Sequence, residues 1–88
     1  MKIKKISYTS NFFRKAIRLP IRLKPEIENQ EKIFRYNQFD PRLKTHKLKG
    51  KLKNLWAYSL THKYRILFEF VKKDEVLFFD IGGHEIYN

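Results

Sequence analysis

Few folds accommodate what stands between residues 55 and 81: three apolar runs, each of strand length, parted by two short polar reversals. The first run, Leu55–Leu60, puts Trp56, Tyr58 and Leu60 on one side at the two-residue period of a strand. The second, Tyr64–Phe70, puts Tyr64, Ile66, Phe68 and Phe70 on one side and Arg65, Leu67 and Glu69 on the other. Thr61-His62-Lys63 and Lys72-Lys73-Asp74 are too short for a crossover, so the runs must pair as an antiparallel meander. The last run, Glu75–Ile81, is nearly all apolar and reads as an interior strand.

Helical patterning precedes this meander. Residues 2–8 form a short basic strand with Ile6 and Tyr8 on one face, suited to a sheet edge where lysines discourage further pairing. Ser10 is placed to cap a helix over residues 11–18, with Phe12, Phe13, Ala16 and Ile17 as its apolar side and Pro20 as its stop. A second helix starts at Pro25, where Glu26 and Glu28 favour the positive end of the helix dipole. Its buried stripe is Ile27, Ile33, Phe34 and Tyr36, and it ends near Asn37 ahead of the Asp40-Pro41 turn. The order is β-α-α-β-β-β, an α+β fold of two helices against an antiparallel sheet, in one domain spanning residues 1–88. Pattern alone does not give the neighbour of the first strand.

Charge indicates what such a domain meets. The net charge is +11 on 88 residues, yet 42% of residues are hydrophobic, too many for a disordered basic tail. Self-repulsion of that size calls for a polyanion or an acidic protein opposite. Between Asp40 and Glu69 there is no acidic residue, whereas Arg42, Lys44, Lys47, Lys49, Lys51, Lys53, Lys63 and Arg65 all fall there. The leucines among them, Leu43, Leu48 and Leu52, would pin this stretch to the core while the lysines face water. No cysteine is present, no run approaches a membrane span, and MKIKKISYTS has no apolar core of signal-peptide length; a soluble cytoplasmic protein is expected.

Most chemistries are excluded by what is missing. The histidines, at 46, 62 and 84, share no short ligand spacing and have no cysteine to join them, so neither metal nor cofactor is expected. Gly82-Gly83 precedes no helix and makes no phosphate loop, and neither Ser10 nor Ser59 stands in a nucleophile elbow. Histidines set among lysines and an arginine remain, which is the equipment for cutting RNA without metal. The substrate's own 2′-hydroxyl attacks, a base removes its proton, cations stabilise the phosphorane, and an acid protonates the departing 5′-oxygen. Imidazole suits both proton steps. His46, within the basic run, and His84, beyond the Gly-Gly hinge, are the candidates; His62 reads as an exposed turn residue. Arg65 interrupts an apolar strand, and its alternative use is an ion pair with Glu69 on the same face. Trp56 and Tyr64 could stack on bases, although Trp56 reads first as core.

The run Asp40-Pro41-Arg42-Leu43-Lys44-Thr45-His46-Lys47-Leu48-Lys49-Gly50, then Trp56, Tyr64-Arg65-Ile66-Leu67-Phe68, Asp80-Ile81-Gly82 and His84, resembles the RelE/ParE toxin superfamily, nearest its RelE/StbE, YoeB and YafQ branches. The resemblance implies a type II toxin that enters the ribosome, cleaves messenger RNA by 2′-hydroxyl attack and is restrained by an acidic cognate antitoxin. It assigns acid/base roles to His46 and His84 without saying which is which, and places Lys49 and Arg65 at the scissile phosphate. Ribosomal RNA contacts would fall to Lys44, Lys47, Lys51 and Lys53. The chain departs from YafQ at Ser59 and Lys63, and from YoeB at Glu85, where a tyrosine is expected. Two further readings stand beside this one: a ParE-like inhibitor of DNA gyrase that binds without catalysis, and a non-catalytic RNA-binding domain, for which no aromatic stacking signature is evident.

Overall fold

The computed structural model describes residues 2–87. Its regular elements are β1 (Lys5–Tyr8), α1 (Ser10–Arg18), α2 (Lys24–Tyr36), β2 (His46–Lys47), β3 (Trp56–Ser59), β4 (Arg65–Lys72) and β5 (Glu75–Gly82). Single 3-10 turns occupy Ile21–Leu23, Pro41–Leu43, Gly50–Leu52 and His84–Tyr87. The α+β expectation holds, and β3, β4 and β5 form the antiparallel meander.

The sheet itself is mixed. Its strand order is β1-β5-β4-β3-β2, and β1 pairs with β5 in parallel, Lys5 opposite Glu75 through Tyr8 opposite Phe78. This corrects the all-antiparallel sheet: the first and last strands meet side by side, a contact between ends of the chain that no local pattern encodes. β1 is an edge strand, as its lysines indicate, and so is the two-residue β2. β1 covers only the first half of β5. Along the second half, Thr9 Oγ1 donates to the Phe79 carbonyl at 2.8 Å, and α1 runs beside the uncovered edge. The same Thr9 oxygen accepts from the Phe12 amide, so Thr9 and not Ser10 is the α1 cap. β5 carries one extra residue between Phe78 and Asp80, which oppose Phe68 and Leu67, and this displaces Phe79 outward.

The core lies between the helices and one sheet face. Phe34 of α2 is fully buried, stacked on Tyr58 at 4.9 Å and edge-on to Phe68 at 4.8 Å, with Phe78 at 5.5 Å. Such rings supply about 1.5–3 kcal/mol each on burial. The helix stripes are narrower than their sequence pattern: Phe12 is buried, but Phe13, Ile17 and Tyr36 are 63%, 66% and 71% exposed. The 3-10 turn after Pro20 separates α1 from α2, and β5 covers only one side of α1. On the opposite sheet face a smaller cluster of Leu55, Ala57, Leu67 and Ile86 is joined by Leu48, Leu52 and Tyr87. It fastens both the basic run and the C-terminal turn to that face.

A candidate cationic site at the end of the sheet

Where β3 returns as β4, the reversal is built around Arg65. Leu60 and Thr61 amides donate to the Tyr64 carbonyl, and Thr61 Oγ1 accepts from the Lys63 and Tyr64 amides. Arg65 Nη1 donates to the carbonyls of Thr61 (2.8 Å), His62 (3.1 Å) and Tyr64 (3.1 Å). No ion pair with Glu69 forms among the described residues. The guanidinium is thus a fixed cation, tied through one nitrogen to neutral carbonyls with its charge unquenched.

Arg65 lines a cleft of about 250 Å³ together with Arg42, Lys44, His62, Gln30 and Ser59. No carboxylate is among its described lining residues. Arg42 is held by a fork to Asp40, with Nε and Nη2 at 3.0 and 2.9 Å from the two carboxylate oxygens. That bond and the Arg42 amide hold the Asp40 carboxyl down to about 2. Lys44 takes a left-handed backbone at φ 53°, which turns the chain into β2. The backbone that carries Arg42 and Lys44 on this wall is thus set by the Asp40 cap and the left-handed turn.

A second cleft, about 550 Å³, opens on the other side of the reversal between His62, Lys63, Tyr64, Gly83, His84 and Glu85. The pairing of Arg65 with Gly82 brings the Gly82-Gly83 hinge here, and the 3-10 turn that follows presents His84 to solvent. Glu85 folds back to accept from the Gly83 amide at 2.9 Å; that bond and one from its own amide lower its pKa. It acts as a clasp on the hinge. The His84 ring lies 6.2 Å from that of Tyr87.

His46 stands apart. Its ring Nδ1 donates to the Lys44 carbonyl at 3.0 Å, which leaves Nε2 as the basic nitrogen of the neutral ring. It pairs with Ala57, which pairs with Leu67, which pairs with Asp80. That register puts three strand spacings, about 14 Å, between His46 and the end of β5. His46, opposite Ala57, belongs to the sheet face that carries Ala57 and Leu67, whereas His84 lies beyond β5 in the turn that Ile86 anchors to that face. Lys47, one residue on, belongs to the opposite face beside Trp56. Lys49, Lys51 and Lys53 are exposed around the Gly50–Leu52 turn, while Leu48 and Leu52 anchor it, as the alternation of leucine and lysine indicates.

No protein-family model matches the sequence, and a search of curated proteins found no relative. Solved structures do match. YafQ from E. coli strain BL21(DE3) superposes with a TM-score of 0.77 at 14% identity, over 93% of this chain and 94% of that one. A YoeB/ParE toxin from Agrobacterium tumefaciens gives 0.75 at 17%, over 91% and 98%. A chain of the archaeal RelE–RelB complex from Pyrococcus horikoshii OT3 gives 0.71 at 15%, over 94% and 96%.

This is the RelE/YoeB/YafQ toxin fold.

Within this RelE-like fold, His62 is an exposed residue of the reversal, as expected, and it also lines both clefts, a placement the sequence did not give. Arg42 and Tyr64 were also missed as cleft residues. A signal was present: once the runs are taken as a meander, Arg65 must face the end of β5, and the reversal carrying His62 must then adjoin the Gly-Gly hinge. Among the described residues no group of histidines and carboxylates is arranged to hold a metal ion. Nor is any described helix long and apolar enough to cross a membrane.

Proposed function

We propose that this protein is the toxin of a type II toxin–antitoxin pair and that it cleaves messenger RNA on the ribosome, with the phosphate seated at Arg65. The observation that carries this reading is the unquenched Arg65 guanidinium, fixed between a carboxylate-free cationic cleft and the cleft of His84. The 2′-hydroxyl loses its proton to an imidazole and attacks phosphorus; the bond to the 5′-oxygen breaks and that oxygen receives a proton from an acid. The products are a 2′,3′-cyclic phosphate and a free 5′-hydroxyl. His46 and His84 take the two proton roles from opposite flanks, across one ribose–phosphate unit lying over β3 and β4. Arg65 and Lys49 stabilise the phosphorane, and Lys44, Lys47, Lys51 and Lys53 hold the surrounding RNA.

An acidic antitoxin fits the same molecule. Phe13, Ile17 and Ile21, the last 81% exposed, are exposed apolar residues flanked in sequence by Arg14, Arg18 and Arg22. An amphipathic helix with acidic borders complements both features. The solved relatives include the E. coli DinJ–YafQ toxin–antitoxin complex.

The test is expression of wild type and His84→Ala in cells, with transcript ends mapped and protein synthesis followed. His84→Ala should lower cleavage by about 10²–10⁴-fold while leaving antitoxin binding intact. Growth arrest that survives the substitution overturns the catalytic assignment. The separation of His46 from His84 favours a second reading, a ParE-like gyrase inhibitor that needs no histidine pair. Under it, DNA supercoiling fails before translation does.

A further inference from the structure

α2 ends at Tyr36, and the segment that follows, ahead of the Pro41–Leu43 turn, brings Phe39 against the sheet. The side chains there are aromatic. Phe39, 54% exposed, packs edge-on to Trp56 at 5.6 Å and nearly parallel to Phe70 at 6.4 Å, while Trp56 and Phe70, both half-buried, meet edge-on at 5.6 Å. Asn37 Oδ1 accepts from the Phe39 amide at 3.0 Å and fixes the backbone that presents the ring. Tyr36, 71% exposed at the end of α2 and three residues before Phe39, has Lys2 Nζ 5.3 Å from its ring centre. Lys47 is the cross-strand partner of Trp56 and so stands on the same face of the sheet. The nearby carboxylates are already neutralised, Asp40 by Arg42 and Asp74 by Lys4.

We propose that the Phe39–Trp56–Phe70 cluster is a stacking platform for unpaired bases of single-stranded RNA, with Lys47 and Lys2 on the adjoining phosphates. The exposed Phe39 ring, braced by Trp56 and Phe70, offers a base a π-face to stack on, and lysines nearby supply phosphate contacts. The contrast with Phe13, Ile17 and Ile21 supports this occupant: those residues are largely aliphatic and suit a protein helix, whereas this cluster is aromatic throughout. Its position, on the helix-side face and at the far end of β4 from Arg65, sets the aromatic cluster apart from the proposed cleavage site, with Lys47 alone shared with the RNA contacts proposed above. The platform lengthens the RNA footprint and does not depend on catalysis.

Trp56 is the only tryptophan of the chain, so its fluorescence reports on the platform directly. The intact protein is titrated with a 2′-O-methyl oligouridylate of about eight nucleotides, which cannot be cleaved, and with inorganic polyphosphate as a base-free polyanion. Saturable quenching by the oligonucleotide and none by polyphosphate is expected. Phe39→Ala should weaken oligonucleotide binding by about tenfold or more, with Phe39→Leu, which keeps the packing volume, nearly as weak. Lys47→Ala should reduce the salt slope of binding by about 0.7. Equal quenching by polyphosphate, unchanged affinity in a natively folded Phe39→Leu protein, or quenching by an acidic amphipathic peptide in place of the oligonucleotide each overturns the platform. Cleavage sensitive to His84→Ala in a protein whose Trp56 does not respond refutes the platform and leaves the cleavage reading standing; the converse refutes only cleavage.

Discussion

Lys15 reaches from α1 to Asp80 on β5, Nζ 2.7 Å from Oδ1, and closes the stretch of sheet edge that β1 leaves open. The same carboxylate oxygen accepts from the Ile81 amide at 2.8 Å, so one acidic group ties helix to strand just ahead of the Gly82-Gly83 hinge. Lys15→Met should cost about 1–3 kcal/mol in urea unfolding, because Asp80 is largely enclosed and loses its charged partner. A Lys15→Met, Asp80→Asn double variant should recover part of that loss. Full additivity of the two single costs would show that the pair is not coupled.

Gly82 has no room for a side chain. A Cβ there would stand 2.6 Å from Ile86 Cγ2 and 2.7 Å from Glu85 Oε1. The carboxylate can swing away, but Ile86 is packed into the cluster beneath the C-terminal turn. Gly82→Ala should therefore lift that turn, destabilising the fold by about 1–3 kcal/mol and displacing His84. Hydrogen exchange at the Ile86 amide, which donates to the Gly83 carbonyl, is the measurement; unchanged protection would refute the account.

The Tyr58 hydroxyl is buried and has no hydrogen-bond partner among the described residues. Its ring is stacked on Phe34, and burial raises its pKa well above the ordinary value. Tyr58→Phe removes a desolvated hydroxyl and keeps the ring, so stability should be unchanged or higher by up to about 1 kcal/mol. A loss of comparable size in urea unfolding would reveal a satisfied hydroxyl.

The Asp40–Arg42 fork fixes a pH dependence. The Asp40 carboxyl titrates near 2 in the folded chain against 3.8 ordinarily, so the folded state binds its proton more weakly than the unfolded one. Its contribution is complete above about pH 4 and fades as pH falls toward 2. Asp40→Asn should lower the urea midpoint at pH 6, and the gap from wild type should close by pH 2. A gap that persists in acid would mean that Asp40 acts through packing.

The meander was legible in residues 55–81 because a strand's two-residue period and a three-residue reversal are local properties, and the leucine–lysine alternation of the basic run likewise showed which side chains anchor it. The helix stripes were legible only in part. Phe13, Ile17 and Tyr36 obey helical spacing, but spacing says which residues share a side, not whether anything packs there. Arg65 and His84 stood out as an arginine within an apolar strand and a histidine beyond a glycine hinge; His62 did not, since a turn histidine carries no local mark.

Sequence by itself determined the order of the first strand, the two helices and the meander, the α+β class and the one-sign charge of residues 41–68, all of which follow from composition and short-range periodicity; the two-residue β2 lay outside the expected order. Tertiary structure alone decided that β1 lies parallel to β5, that His46 stands three strands away from the end of β5, and that Phe39 packs edge-on to Trp56. Each of these joins residues distant in the chain, and such contacts are chosen by which surfaces can be buried together, a quantity that no single segment contains.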